Sequence, residues 1–267
     1  MNQSVLLAFI LTLFAGLATG VGGMIAVMAT RTNKAFFSFT LGLSAGVMIY
    51  VSFIELFRES EIIFTEFYGD KQGLIFTVIC FFGGMLLVSM IDKLVPAHEN
   101  PHEVRSIEDM NRPPIKNQKI LKMGIVTALV VSIHNFPEGI ATFMAVLENP
   151  TLGIMIAVAI AIHNIPEGIA IAVPIYHATG NKKKAFQLSF LSGFAEPLGA
   201  GLTYLFLRPF ISPVLLACIF AMVAGIMVFI SFDELLPASR EYGEHHISIY
   251  GLISGMAIMA LSLILLV

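Results

Sequence analysis

Charge is what this sequence has least of: Asp, Glu, Lys and Arg make up 12% of its 267 residues. A water-soluble domain carries about a quarter, so an ordinary soluble fold is excluded. Cysteine occurs only twice, too seldom for a disulfide-built scaffold. Cys80 and Cys218 both fall inside apolar runs and are expected to act as small hydrophobes, not as a disulfide or a ligand pair. The net charge is -3 and no basic patch with interleaved aromatics occurs, so nothing points to nucleic acid. Long polar segments are scarce too. The single one, 94–119, is rich in Pro, Glu, Asn and Arg and reads as a mobile loop, not a second domain.

What fills the chain instead is apolar sequence, with 57% hydrophobic residues and a mean hydropathy of +0.87. Runs longer than about 18 apolar residues recur, which makes the bilayer the solvent. Each span must then close its own backbone hydrogen bonds, and the runs are too uniform for barrel strands, so the spans are helices. The N-terminal run lacks a Lys/Arg flank and continues past Gly20, so it reads as a first span and not as a signal peptide. Eight spans are expected, at roughly 4–29, 36–57, 72–93, 120–148, 152–178, 184–207, 211–235 and 248–267. The fold class is an all-α membrane protein, one transmembrane domain over 1–267. Twelve of the fifteen Lys and Arg residues fall on one side of the eight-span arrangement, with only Arg58, Lys71 and Arg208 on the other. That asymmetry puts the 94–119 loop in the cytoplasm and both termini outside.

Residues 46–57, GVMIYVSFIELF, match 225–236, GIMVFISFDELL, at six of twelve positions. The copies lie in spans two and seven and cross the membrane in opposite senses. This predicts an inverted repeat relating spans 1–3 to spans 6–8 around spans 4–5, with a substrate site near midplane. Glu55 is placed near the outer end of span two and Glu234 near the inner end of span seven.

A second repetition carries the chemistry. Span four contains His134-Asn135-Phe136-Pro137-Glu138-Gly139, and span five His163-Asn164-Ile165-Pro166-Glu167-Gly168. His and Glu four apart share a helix face, and Asn borders it. Each proline removes one backbone hydrogen bond and presses on the carbonyl four residues back, Ile133 or Ile162. Span six is centred on its one charged residue, Glu196, followed by Pro197. Carboxylates on three helices thus meet at one depth, where each uncompensated charge costs on the order of 3 kcal/mol. No Lys or Arg lies near the centre of any span, so a buried salt bridge does not balance them. Protonated, hydrogen-bonded glutamates or a proton relay would; so would a bound cation. Imidazole with carboxylate and amide oxygen suits zinc, iron(II), manganese or cobalt better than calcium, magnesium or copper(I).

HNFPEG and HNIPEG on neighbouring spans, followed by SGFAEPLGAG, resemble the ZIP family of divalent metal transporters, most nearly its bacterial ZupT-like branch, over essentially the whole chain. The resemblance implies eight spans, outside termini and a cytoplasmic loop between spans three and four. It implies a site built from spans four, five and six, often binuclear. His134, Glu138, His163 and Glu167 would form one metal position; Asn135, Asn164, Glu167 and Glu196 the adjacent one, bridged by Glu167. Asp233-Glu234 is similar to the acidic segment of the family's cytoplasmic release path, with Glu55 helping the ion in. The implied activity is import of zinc, with iron(II), manganese and cadmium as further substrates, across the cell (inner) membrane. The ion is cargo, no cofactor is expected, and the chain is expected not to be an enzyme. Expected partners are the metal ion, membrane lipid and a second copy in a homodimer.

Several features are discounted. His98-Glu99-Asn100-Pro101-His102 matches the zinc-protease pattern H-E-x-x-H, but Pro101 prevents the shared helical face that pattern needs. His245, His246 and His177 read as surface or packing residues, and the fourteen methionines as membrane core. An intramembrane metal-dependent hydrolase would need turnover of a lipid or peptide at an open metal position. A proton-linked carrier of an organic solute would need a basic or aromatic pocket, and none is evident.

Overall fold

Helix ends here are set by short polar and glycine signals between apolar rods. The structure, a computed structural model, describes residues 3–28, 34–94, 118–207, 210, 212–242 and 245–266. Helix α1 spans Gln3–Met28. Helix α2, Lys34–Val51, passes through a wide π turn, Ser52–Phe57, into α3, Arg58–Tyr68, and Gly69 with φ 79° stops it. Helix α4 is Asp70–Leu94 and α5 is Gln118–Glu148. Asn149 caps α6, Pro150–Thr179: its side-chain oxygen accepts from the Thr151 and Leu152 N–H groups, while Pro150 fills the first position, where no N–H is needed. Gly180, φ 66°, ends α6, and Asn181 caps α7, Lys182–Gly193. A turn at Phe194 leads into α8, Ala195–Leu202, and a π turn, Thr203–Leu207. Ser212 caps α9, Pro213–Ile230, which continues through the π turn Ser231–Leu235 into α10, Leu236–Tyr242. Helix α11 is His245–Leu266.

Among the described residues six segments are long and apolar enough to cross a membrane: Gln3–Met28, Ser38–Tyr68, Asp70–Ile91, Pro150–Val173, Pro213–Arg240 and His246–Ile264. Large apolar side chains also face outward, with Met90 on α4 63% exposed and Ile264 on α11 72%. Such patches are unsuited to water and suited to lipid. The chain is therefore an all-helical protein of the membrane type.

Two expected boundaries shift. The second span was placed at 36–57 and the seventh at 211–235, but both helices run further, to Tyr68 and Tyr242. Charge begins at Glu55 and Arg58 in one rod and at Asp233 and Glu234 in the other, but helix continues past both. Glu55, Asp233 and Glu234 therefore lie within continuous rods, not at helix ends. The expected loop at 94–119 falls almost wholly outside the described residues.

In lipid, apolar burial gives no hydrophobic gain, so helices associate through close packing of small residues. That is how this bundle is joined. A Cβ on Gly46 would strike the Leu252 carbonyl of α11, and one on Gly225 would strike the Phe81 carbonyl of α4. These pair α2 with α11 and α4 with α9. Around the two H-N-x-P-E-G helices, α6 packs chiefly on α1 and α5, while α5 also meets α8. Phe9, Phe143 and Tyr204 tie α1, α5 and the turn after α8, with ring centroids 4.9 Å apart for Phe9–Phe143 and 5.7 Å for Phe9–Tyr204.

Candidate metal-binding site

Each motif proline leaves its helix continuous, so α5 and α6 keep their His, Asn and Glu in register. Pro197 acts differently. It cannot bond to the carbonyl of Gly193, and the helix breaks at Phe194, which starts α8 one residue before Glu196. Glu196 is thereby placed in a first turn, where a carboxylate is favoured by the helix dipole.

The motif glycines bring the backbones into contact. A Cβ on Gly139 would overlap the Glu196 carbonyl oxygen, and one on Gly199 the Phe136 carbonyl, so α5 and α8 touch directly. A Cβ on Gly168 would overlap the Thr19 carbonyl, and one on Gly22 the Ile165 carbonyl, so α6 and α1 do the same. Phe136 and Ile165 hold the same place in the two motifs. The motifs therefore dock in one manner on two different helices. Ser189 of α7 adds a hydroxyl shared between the carbonyls of Thr19, at 2.9 Å, and Gly168, at 3.0 Å.

Between these backbones lies a cluster of polar side chains. Asn135, Glu138, His163, Asn164 and Glu196 are fully buried, and Glu167 is 5% exposed. His163 Nε2 is 3.3 Å from Glu138 Oε2. The Asn164 amide donates to the Ala15 carbonyl at 3.0 Å and to Glu196 Oε1. Glu138 and Glu167 are both within electrostatic reach of Glu196. Thr142 donates to the Glu138 backbone carbonyl at 2.9 Å and stiffens that turn. Glu138 Oε1, Asn164 Oδ1, Glu196 Oε2 and both polar atoms of Asn135 have no hydrogen-bond partner among the described residues. Leaving such atoms unpaired costs roughly 1–3 kcal/mol each. Their chemistry, carboxylate and amide oxygen beside an imidazole, fits a divalent transition metal. Among the described side chains no three His, Cys, Asp or Glu groups close into a finished cage. The converging groups are acids, one imidazole and amides.

The remaining sequence-predicted residues are spread along other helices. His134 lies on α5, with its side chain outside the described residues; the same holds for His177 and His245, and His98 and His102 lie outside altogether. Glu55 is half-buried in the π turn of the α2–α3 rod. Asp233 is exposed and Glu234 half-buried in the π turn of the α9–α10 rod. The His246 ring stacks on Tyr250 with centroids 6.3 Å apart.

Two features were missed from sequence. One is α1, which supplies the Ala15 carbonyl to Asn164 although it carries no ionisable residue. The other is an acidic cavity of about 330 Å³ between the ends of α3 and α5 and the start of α9, lined by Glu66 and Glu148 among others. Glu59 interacts electrostatically with Glu148 nearby. Charge density at helix ends was the available signal.

Comparison with known proteins agrees with this chemistry. The profile of the ZIP zinc transporter family matches residues 92–263. The zinc transporter ZupT of Oceanobacillus iheyensis is 62% identical over 266 residues, 99% of each chain. That of Lysinibacillus sphaericus is 60% identical over the full length of both. That of Streptococcus mutans is 56% identical, again over the full length of both. The chain therefore belongs to the ZIP zinc transporter family and is a membrane transporter, not an enzyme.

Proposed function

We propose that this protein imports zinc across the cell membrane through the buried His/Asn/Glu cluster, and that iron(II), manganese and cadmium share the route. One observation carries the reading. Glu138 and Glu196, both fully buried, are linked through His163 and Asn164 in helices that hold no Lys or Arg from residue 123 to 181 or from 185 to 207. A cation is the partner that satisfies all of them at once. The relatives above carry the name zinc transporter, which supports zinc as the ion.

The site reads as binuclear. His134, Glu138, His163 and Glu167 hold one ion; Asn135, Asn164, Glu167 and Glu196 hold the other. The two side-chain contacts divide the same way, His163–Glu138 within the first set and Asn164–Glu196 within the second. Conduction needs binding strong enough to select and weak enough to release. A second cation beside a shared Glu167 repels the first and supplies that weakness.

The architecture proposed is eight spans, counting α2–α3, α7–α8 and α9–α10 as one each, with an inverted repeat of spans 1–3 and 6–8 around 4–5. Gly16-x-Ala18-Thr19-x-x-Gly22 of α1 parallels Gly193-x-Ala195-Glu196-x-x-Gly199 of the α7–α8 rod, and each docks one motif helix. The two SFxEL segments both widen into π turns beginning at the equivalent serines, Ser52 and Ser231. Such turns loosen backbone carbonyls and recur at functional sites. Ions would gather at the Glu59, Glu66 and Glu148 mouth, pass Glu55, and leave past Asp233 and Glu234. Both termini lie outside in this orientation.

The test is radioactive zinc uptake into proteoliposomes. Glu167→Ala should abolish saturable uptake; wild-type rates in that variant would end the proposal.

A further inference from the structure

Cys80 and Cys218 stand 138 residues apart in sequence, yet their Sγ atoms are 3.2 Å apart across the α4–α9 seam. Chance contact of two small hydrophobes does not require this placement to be durable, but the surrounding backbone does. Four residues further along each helix, a Cβ on Gly84 would overlap the Met222 carbonyl; a Cβ on Gly225, seven residues past Cys218, would overlap the carbonyl of Phe81, next to Cys80. The two helices are thus interlocked within two turns of the thiols and cannot slide without lifting apart. Both cysteines are free and only partly buried, so a small reagent reaches them. Met222 Sδ lies 3.9 Å from Cys218 Sγ, which makes the surroundings soft and apolar. None of these groups belongs to the His/Asn/Glu cluster, and α4 supplies no residue to it.

We propose that Cys80 and Cys218 form a reversible dithiol–disulfide pair that staples α4 to α9 as one rigid unit and leaves the zinc route unaltered. The sulfurs stand 3.2 Å apart and must close to the about 2.05 Å of a disulfide. The oxidant is a two-electron acceptor of the azodicarboxamide class. The Cys80 thiol adds across its N=N bond, its proton passing to one nitrogen. Cys218 Sγ then attacks Cys80 Sγ, so the S–S bond forms and the S–N bond breaks. The acceptor leaves as the hydrazine, carrying the two thiol protons and both electrons.

The test uses the full chain in proteoliposomes, treated with diamide and then alkylated and weighed intact. Two alkylatable thiols are expected before oxidation, none after it with the mass of two hydrogens lost, and two again after dithiothreitol. Cys80→Ser should keep its single thiol alkylatable under the same oxidant. Oxidised wild type should run as a monomer without reductant and take up zinc at the untreated rate. Thiols that persist through oxidation would overturn the proposal, as would a covalent dimer. Uptake that stops on oxidation and returns on reduction would overturn the rigid unit, because α4 and α9 would then have to move apart during transport.

Discussion

His163 on α6 presents Nε2 to Glu138 Oε2 on α5 at 3.3 Å, with neither side chain reachable by solvent. The pair joins the two copies of one six-residue motif at the heart of the bundle. Its other carboxylate oxygen, Glu138 Oε1, has no hydrogen-bond partner among the described residues. On the function proposed above, this imidazole and carboxylate would supply two ligands to the ion.

Removing the Glu138 charge while keeping its shape should therefore weaken zinc binding without unfolding the protein. Glu138→Gln is expected to lose at least the roughly 10–100-fold in affinity that even an outer-shell partner contributes. Calorimetric zinc titration in detergent, with circular dichroism as the folding control, measures it. Unchanged affinity would remove Glu138 from the shell.

Asn164 has a different task. Its amide holds Glu196 and, at the same time, the Ala15 carbonyl of α1. Asn164→Ala leaves both acceptors unpaired in a buried place, which costs about 1–3 kcal/mol for each group left unsatisfied. A lowered melting temperature in metal-free protein is expected, and zinc should recover less of it than in wild type. Melting at the wild-type temperature would show that α1 is held by something else.

Glycine contacts make a paired test of close packing. Gly139→Ala drives a methyl into the Glu196 carbonyl and should cost about 1–3 kcal/mol, with loss of uptake. Gly83→Ala, on α4 where a Cβ meets nothing within 4 Å, should be neutral or gain about 0.5–1 kcal/mol. Chemical denaturation of both variants checks the contrast, and equal effects would refute it.

Much of the site could be read before any coordinates, because H-N-x-P-E-G is a local pattern. Four-residue spacing puts His and Glu on one face whatever the tertiary fold. Pro197 is visible in the sequence beside Glu196, but the helix break at Phe194 was not read from it. What escaped the sequence depends on contacts between distant segments. The Ala15 carbonyl is a backbone group and leaves no trace in residue type. The meeting of Cys80 with Cys218 follows from the crossing of α4 and α9, which no spacing along the chain encodes. The continuation of helix through Arg58 to Tyr68 was hidden because hydropathy reports the membrane boundary and not the helix boundary. The π turns at Ser52 and Ser231 were invisible for a related reason: one extra residue per turn changes the hydrogen-bond ladder but not the composition.

Donor chemistry sets selectivity. Zinc uptake should fall in the presence of cadmium, iron(II) or manganese, which accept imidazole and carboxylate, and persist in excess calcium or magnesium, which favour all-oxygen shells. Competition by magnesium as strong as that by cadmium would mean that the imidazoles do not touch the ion.

The most direct measurement is an anomalous difference map at the zinc edge from crystals of the zinc-loaded protein. The expected result is one or two peaks between Glu138, His163, Glu167 and Glu196, with ligand distances of about 2.0–2.2 Å to nitrogen and oxygen. Zinc found only elsewhere, at the Cys80–Cys218 seam or among the mouth glutamates, would contradict the account.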